Sequence, residues 1–253
     1  MSTFTKALSL IAAASMTVSG ALNAAAPQHD ANGLLFLVNR QYTVSSLYTP
    51  ADLVMSDVPG QVRRMRPEAA AALKEMFQAC KAETRRELLS ISGFRSYAKQ
   101  EGIYNRKLRS VKKDVAKAQE YVAPPGASEH QTGLAMDVGQ KNKAHLEVSF
   151  RDTEGGKWCS ENCWRFGFIL RYGENWEDIT GYKYEPWHFR YVGKEYAKEI
   201  HEANIPFETW MINHRIEVLR LLLSSDYAVI PAPEEPVPAT PTELAPATST
   251  DLT

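Results

Sequence analysis

The sequence predicts an α+β fold, a single domain in which a small antiparallel sheet carries a zinc site and helices flank it. Three observations lead there. Short runs of strand character (Glu87 to Phe94, Leu134 to Val138, Trp187 to Val192) alternate with stretches of helical periodicity, and no internal repeat or linker divides them. Asp137 and His188 fall on two of those runs and His130 on the loop before one of them, so separated segments build one pocket. The 253 residues, 44% of them hydrophobic, suffice for a real core.

The folded part is expected between about residues 27 and 228. Before it, a lone Lys6, an apolar run from Ala7 to Val18 and small residues up to Ala26 read as a secretory signal peptide, residues 1–26. The apolar run is short for a spanning helix, and an uncleaved anchor is the alternative and the only route to a membrane. Pro27 disfavours a cut directly before it and points to cleavage after Ala21 or Ala24. After the domain, residues 229–253 are Pro, Ala, Thr, Glu and Ser with little to bury, a disordered tail. An exported location follows, in the periplasm, the cell wall or the medium. Cys80, Cys159 and Cys163 suit an exported protein with one bridge, every pairing being open and one thiol left over. A net charge of −1 gives no global attraction to nucleic acid.

Along the domain, Leu73, Met76, Phe77 and Cys80 recur at helical spacing from Pro67 to about Arg85, with Pro67 suited to the first helical position. A strand from Glu87 then delivers Arg95, and Ser96 caps a helix with Gln100 and Tyr104 on its first turns. The basic run Arg106 to Lys117 reads as a solvated helix face that would also attract an acidic polymer. Pro124-Pro125-Gly126 breaks the helix and opens the loop carrying Ser128 and His130. Leu134 to Val138 is a strand with Asp137 facing a cleft and Met136 and Val138 facing away. Trp158 to Arg165 reads as a short helix, Gly167 to Tyr172 as a strand, and Trp187 to Val192 as another. Helices follow at Lys194 to Ala203 and Pro206 to Ser224, the second expected to pack on its own domain through Ile212, Ile216, Leu219 and Leu223.

The chemistry rests on His130, Asp137 and His188. Imidazole nitrogen and carboxylate oxygen are ligands that catalytic zinc prefers, and three of them leave a fourth position open for water. Glu185, three residues before His188, stands where a general base belongs; its other reading is a carboxylate that orients a ligand histidine. Arg95 is the natural partner for a developing oxyanion. Trp187 walls the pocket. His29, His145, His201 and His214 fit no such pattern.

Ser128-Glu129-His130-Gln131-Thr132-Gly133-Leu134-Ala135-Met136-Asp137, Glu185-Pro186-Trp187-His188, and Ser92-Gly93-Phe94-Arg95-Ser96 with Gln100 resemble the D-alanyl-D-alanine carboxypeptidases of the VanY type. These are zinc peptidases related in fold to VanX dipeptidases and hedgehog domains. The resemblance runs from about Leu34 to about Leu223, and Phe94 departs from the more usual Tyr. It implies hydrolysis of the terminal D-alanine from peptidoglycan stem peptides, D,D or L,D, with Arg95, Gln100, Ser128 and Trp187 holding substrate. A peptidoglycan endopeptidase and a non-catalytic zinc-containing wall-binding module are the alternatives. A structural zinc needs neither Glu185 nor Arg95, which argues against the last.

Overall fold

The computed structural model describes residues 33–143 and 146–223, so the signal-peptide and tail expectations lie outside the described residues. A short ribbon comes first, β1 (Val54–Met55) paired antiparallel with β2 (Arg64–Met65). Helix α1 (Pro67–Thr84) starts where Pro67 holds Arg66 extended, and it buries Leu73, Met76, Phe77 and Cys80. Strand β3 (Leu88–Ser92) leads through Gly93 to helix α2 (Tyr97–Ser110), whose capping Ser96 accepts a hydrogen bond from the Lys99 amide at 3.3 Å.

The basic run does not continue as one helix face. Lys112 and Lys113 both take positive φ, the chain turns, and Asp114 caps a separate short helix α3 (Val115–Gln119) by accepting from the Lys117 amide at 3.1 Å. An Asp at the head of a helical stretch competes for backbone donors, which favours a new start over continuation. A 3-10 turn at Glu129–Thr132 precedes β4 (Ala135–Gln140). The helix expected from Trp158 begins earlier, as α4 (Glu154–Asn162), because the Thr153 hydroxyl accepts from the Gly156 amide at 2.9 Å; its last expected residues form a 3-10 turn, Cys163–Phe166. Then come β5 (Phe168–Leu170), the single turn α5 (Glu177–Thr180), β6 (His188–Tyr191), α6 (Lys194–Ala203) and α7 (Phe207–Leu223).

The main sheet has the order β3-β4-β6-β5, antiparallel throughout. On one face Met136, Val138, Phe168 and Phe189 join Leu73, Met76 and Phe77 of α1 and Trp158 of α4 in the principal core. Alternation along β4 turns Asp137 to the other face. A second cluster ties Ile169 and Val192 to Ile200 of α6 and to Phe207, Trp210 and Met211 of α7. That face of α7 corrects the expected stripe: Ile212 is 60% and Ile216 42% exposed, while the side chains of Leu219 and Leu223 lie outside the described set. The expected bridge is corrected too. Cys80, Cys159 and Cys163 are free, buried thiols in the core between α1 and α4. No helix among the described residues is long and apolar enough to cross a membrane.

Candidate metal centre

Asp137 on β4 and His188 on β6 are directly paired across the sheet, so the strand register alone brings them together. His130 arrives from the 3-10 turn, which ends at Gly133 with φ +70°; a Cβ there would sit 2.6 Å from Leu53 Cδ2. The turn is tied to the end of β3 by the Arg95 amide donating to the His130 carbonyl at 3.1 Å. Gly93 lets β3 pass close to β2, since a Cβ would meet the Arg64 carbonyl at 2.6 Å. Its own carbonyl lies 2.8 Å from His130 Nδ1, which places the ring proton on Nδ1 and leaves Nε2 as a ligand.

Asp137 Oδ1 is 3.3 Å from His130 Nε2 and 3.2 Å from His188 Nδ1. Ligands on a tetrahedral zinc at about 2.0–2.1 Å stand roughly 3.3 Å apart, so these separations are those of a zinc site. His130 Nε2 and Asp137 Oδ1 are buried and make no hydrogen bond within the protein, as atoms reserved for a metal should. The three side chains are the one group of metal-ligand type among the described residues. The donor set fits zinc.

Electrostatics sharpen the site. Burial, with Arg95 adding to it, pushes His130 down to about 4 and keeps the imidazole neutral. Burial also disfavours a charged His188, yet Asp137 and Glu129 outweigh it and hold His188 up to about 9. Asp137 would be raised by burial, but His130 and His188 keep it below the usual carboxylate range. Burial raises Glu185 to about 7 against the pull of His188 and Arg95.

Asp137 and His188 line a cleft of about 290 Å³. Glu185 Oε2 lies 3.7 Å from His188 Nδ1, so the expected base stands beside a ligand atom. Arg95 Nη1 is 3.9 Å from Asp137 Oδ2, and its Nη2 is 3.5 Å from the Ser128 hydroxyl. Gln100 donates from Nε2 to the Ala123 carbonyl at 2.7 Å and keeps a buried, unbonded Oε1; Trp187 lines the wall. All the residues singled out in the sequence therefore meet at one place. Sequence reasoning missed Glu129, fully buried between Ser128 and His130, whose Oε1 accepts from Arg171 Nε at 2.8 Å and Arg190 Nη1 at 3.0 Å. The two arginines hold its carboxyl below the usual range despite burial. A signal existed: Arg171 is the one charged residue in the run Gly167 to Tyr172, and Arg190 sits among aromatic and aliphatic residues two places after His188.

A family model described as D-alanyl-D-alanine carboxypeptidase (VanY) matches residues 62–194. The Bacillus subtilis (strain 168) protein YodJ is 48% identical over 184 residues, 70% of this chain and 66% of YodJ, so the match spans just under two thirds of that relative. Among solved structures, the LdcB LD-carboxypeptidase is 47% identical with a TM-score of 0.67 over 72% of this chain and 86% of its own. A mutant of the vancomycin-resistance D,D-pentapeptidase VanY, solved in complex with Zn(II), is 34% identical with a TM-score of 0.60 over 70% of this chain and 98% of its own.

Proposed function

The chain belongs to the VanY family of D-alanyl-D-alanine carboxypeptidases, and from that premise we propose that it is a zinc carboxypeptidase releasing the terminal D-alanine of peptidoglycan stem peptides. The observation that carries the reading is the convergence of Glu185 and Arg95 on the three-ligand cluster inside one cleft. His130 Nε2, Asp137 Oδ1 and His188 Nδ1 would hold the ion. Zinc, when bound, supplies Lewis acidity that activates water and polarises a carbonyl. Glu185 Oε2 takes the proton from the attacking water and returns it to the departing amine. Arg95, whose guanidinium lies against a ligand carboxylate, faces the carbonyl oxygen as negative charge develops there. Ser128 and the free Oε1 of Gln100 orient the peptide through hydrogen bonds. The product is a shortened peptide and free D-alanine, with no covalent enzyme intermediate.

Between the two carboxypeptidase specificities, the 47% identity to an LD-carboxypeptidase against 34% to a D,D-enzyme favours the L,D reading. The protein then acts outside the cytoplasm, consistent with the signal-like residues 1–26. The test is D-alanine release by the zinc-loaded protein from stem tetrapeptide and pentapeptide side by side, with Glu185→Gln as control. Release from the tetrapeptide establishes the L,D-enzyme, and release from the pentapeptide alone a D,D-enzyme. Cleavage that survives amidation of the peptide terminus replaces the carboxypeptidase reading with an endopeptidase.

A further inference from the structure

Four charged side chains form a buried chain behind the metal ligands. Glu129 Oε2 lies within ion-pair distance, 3.5 Å, of His188 Nε2, the nitrogen that points away from Asp137, and both are buried atoms without a hydrogen-bond partner. Glu129 Oε1 is gripped by Arg171 and Arg190. Arg171 continues outward, donating from Nη1 to Glu208 Oε2 at 2.9 Å and from Nη2 to Glu208 Oε1 at 2.5 Å. Phe207 lies under both guanidiniums, 5.5 Å from Arg171 and 5.6 Å from Arg190. Two carboxylates and two guanidiniums balance one another, so the group carries no net charge into the core. Glu208 and Phe207 begin α7, which lies beyond the residues matched by the family model, 62–194.

We propose that Glu129 is a positioning residue for zinc, holding His188 with Nδ1 toward the other ligands, and that Glu208 of the C-terminal helix keeps Glu129 in place through Arg171. The carboxylate accepts only, so it selects the His188 form with a proton on Nε2 and a free lone pair on Nδ1. In Glu129→Gln the carbonyl oxygen stays with the arginines and the amide NH₂ faces Nε2. That donor favours the opposite tautomer, with the proton on the ligating nitrogen. The inference rests on His188 being a zinc ligand and not on which peptide is cut.

The experiment is competition for zinc between the holoenzyme and a chelator of known affinity, for the parent, Glu129→Gln, Glu208→Gln and the surface ion-pair control Glu83→Gln. Glu129→Gln is expected to weaken zinc binding about 10–100-fold and Glu208→Gln roughly 2–30-fold, with Glu83→Gln unchanged. Nitrogen NMR of the zinc-bound protein should show the His188 Nε2 proton lost or redistributed in Glu129→Gln. A merely structural role lowers the thermal midpoint and leaves zinc affinity, measured well below that midpoint, within twofold of the parent in the buried variants; that result overturns the proposal. If Glu129→Gln does not fold, Glu208→Gln decides by the same criterion. D-alanine release plays no part in either readout, so failure here and failure of the carboxypeptidase reading are separate results.

Discussion

At Glu185, burial raises the carboxyl to about 7, and the Gln variant keeps its shape while losing the ability to accept a proton. Glu185→Gln should lower kcat about 100- to 10,000-fold, the usual weight of general acid–base catalysis, and leave zinc bound. Glu185 works as a base only when ionised, so kcat/KM should fall as pH drops through its pKa. That acidic limb lies at or below about 7, because a bound cation adds to the pull of His188 and Arg95. An identical limb in the residual activity of Glu185→Gln would remove Glu185 from the role. His188 has the opposite sign. Raised to about 9, it is protonated at neutral pH in the metal-free protein and must lose that proton to ligate. Its stabilising contribution to the metal-free fold is complete below about 6.5 and is lost as pH rises through about 9. Zinc affinity should climb over that same window, roughly tenfold per pH unit for one displaced proton. Calorimetry at pH 8 in buffers of different ionisation enthalpy should find close to one proton released per zinc, and none released would contradict the raised His188.

The elements that position the site are short, so their ends matter more than their lengths. Ser96 starts α2 at the point where β3 hands over Arg95, and the turn at Glu129–Thr132 stops where Gly133 takes φ +70°. Gly133→Ala introduces a left-handed L-residue, costing roughly 1–2 kcal/mol, and a Cβ 2.6 Å from Leu53 Cδ2. The expected outcome is a destabilisation above 1 kcal/mol in urea unfolding, together with weaker zinc binding because His130 sits on that turn. A fully stable variant would show that the turn relaxes at no cost. The basic run shows how an element boundary escapes composition: six cations against Asp114 over residues 106–117 look like one solvated helix face. The break at Lys112 and Lys113 comes from backbone geometry and from Asp114 acting as a cap.

In the whole molecule, zinc adds a link among three segments, the 129–132 turn, β4 and β6, so binding free energy is folding free energy. Chelation from a free zinc level about a thousandfold above Kd should remove about 4 kcal/mol, roughly 8–16 °C in a domain of this size; an unmoved thermal midpoint would argue against zinc at this cluster. The α+β class, the strands around the site and the residues that converge in the cleft were legible in the sequence. Their signals are local: period-two runs, a capping Ser96, and imidazole and carboxylate groups at the ends of strands. Local periodicity also placed a helix at α7 but chose the wrong face: Phe207, Trp210 and Met211 are covered while Ile212 and Ile216 stay exposed. Which face is covered depends on the neighbour it meets. The same holds for the three thiols, left free in the core, and for Glu129, whose partners are 42 and 61 residues away, and Arg171, with Glu208 37 residues beyond it. By itself the sequence determined the chemistry available to this protein. Tertiary structure alone decided which buried charges neutralise one another and hold His188, because a buried charge is stable only beside a partner that folding brings to it.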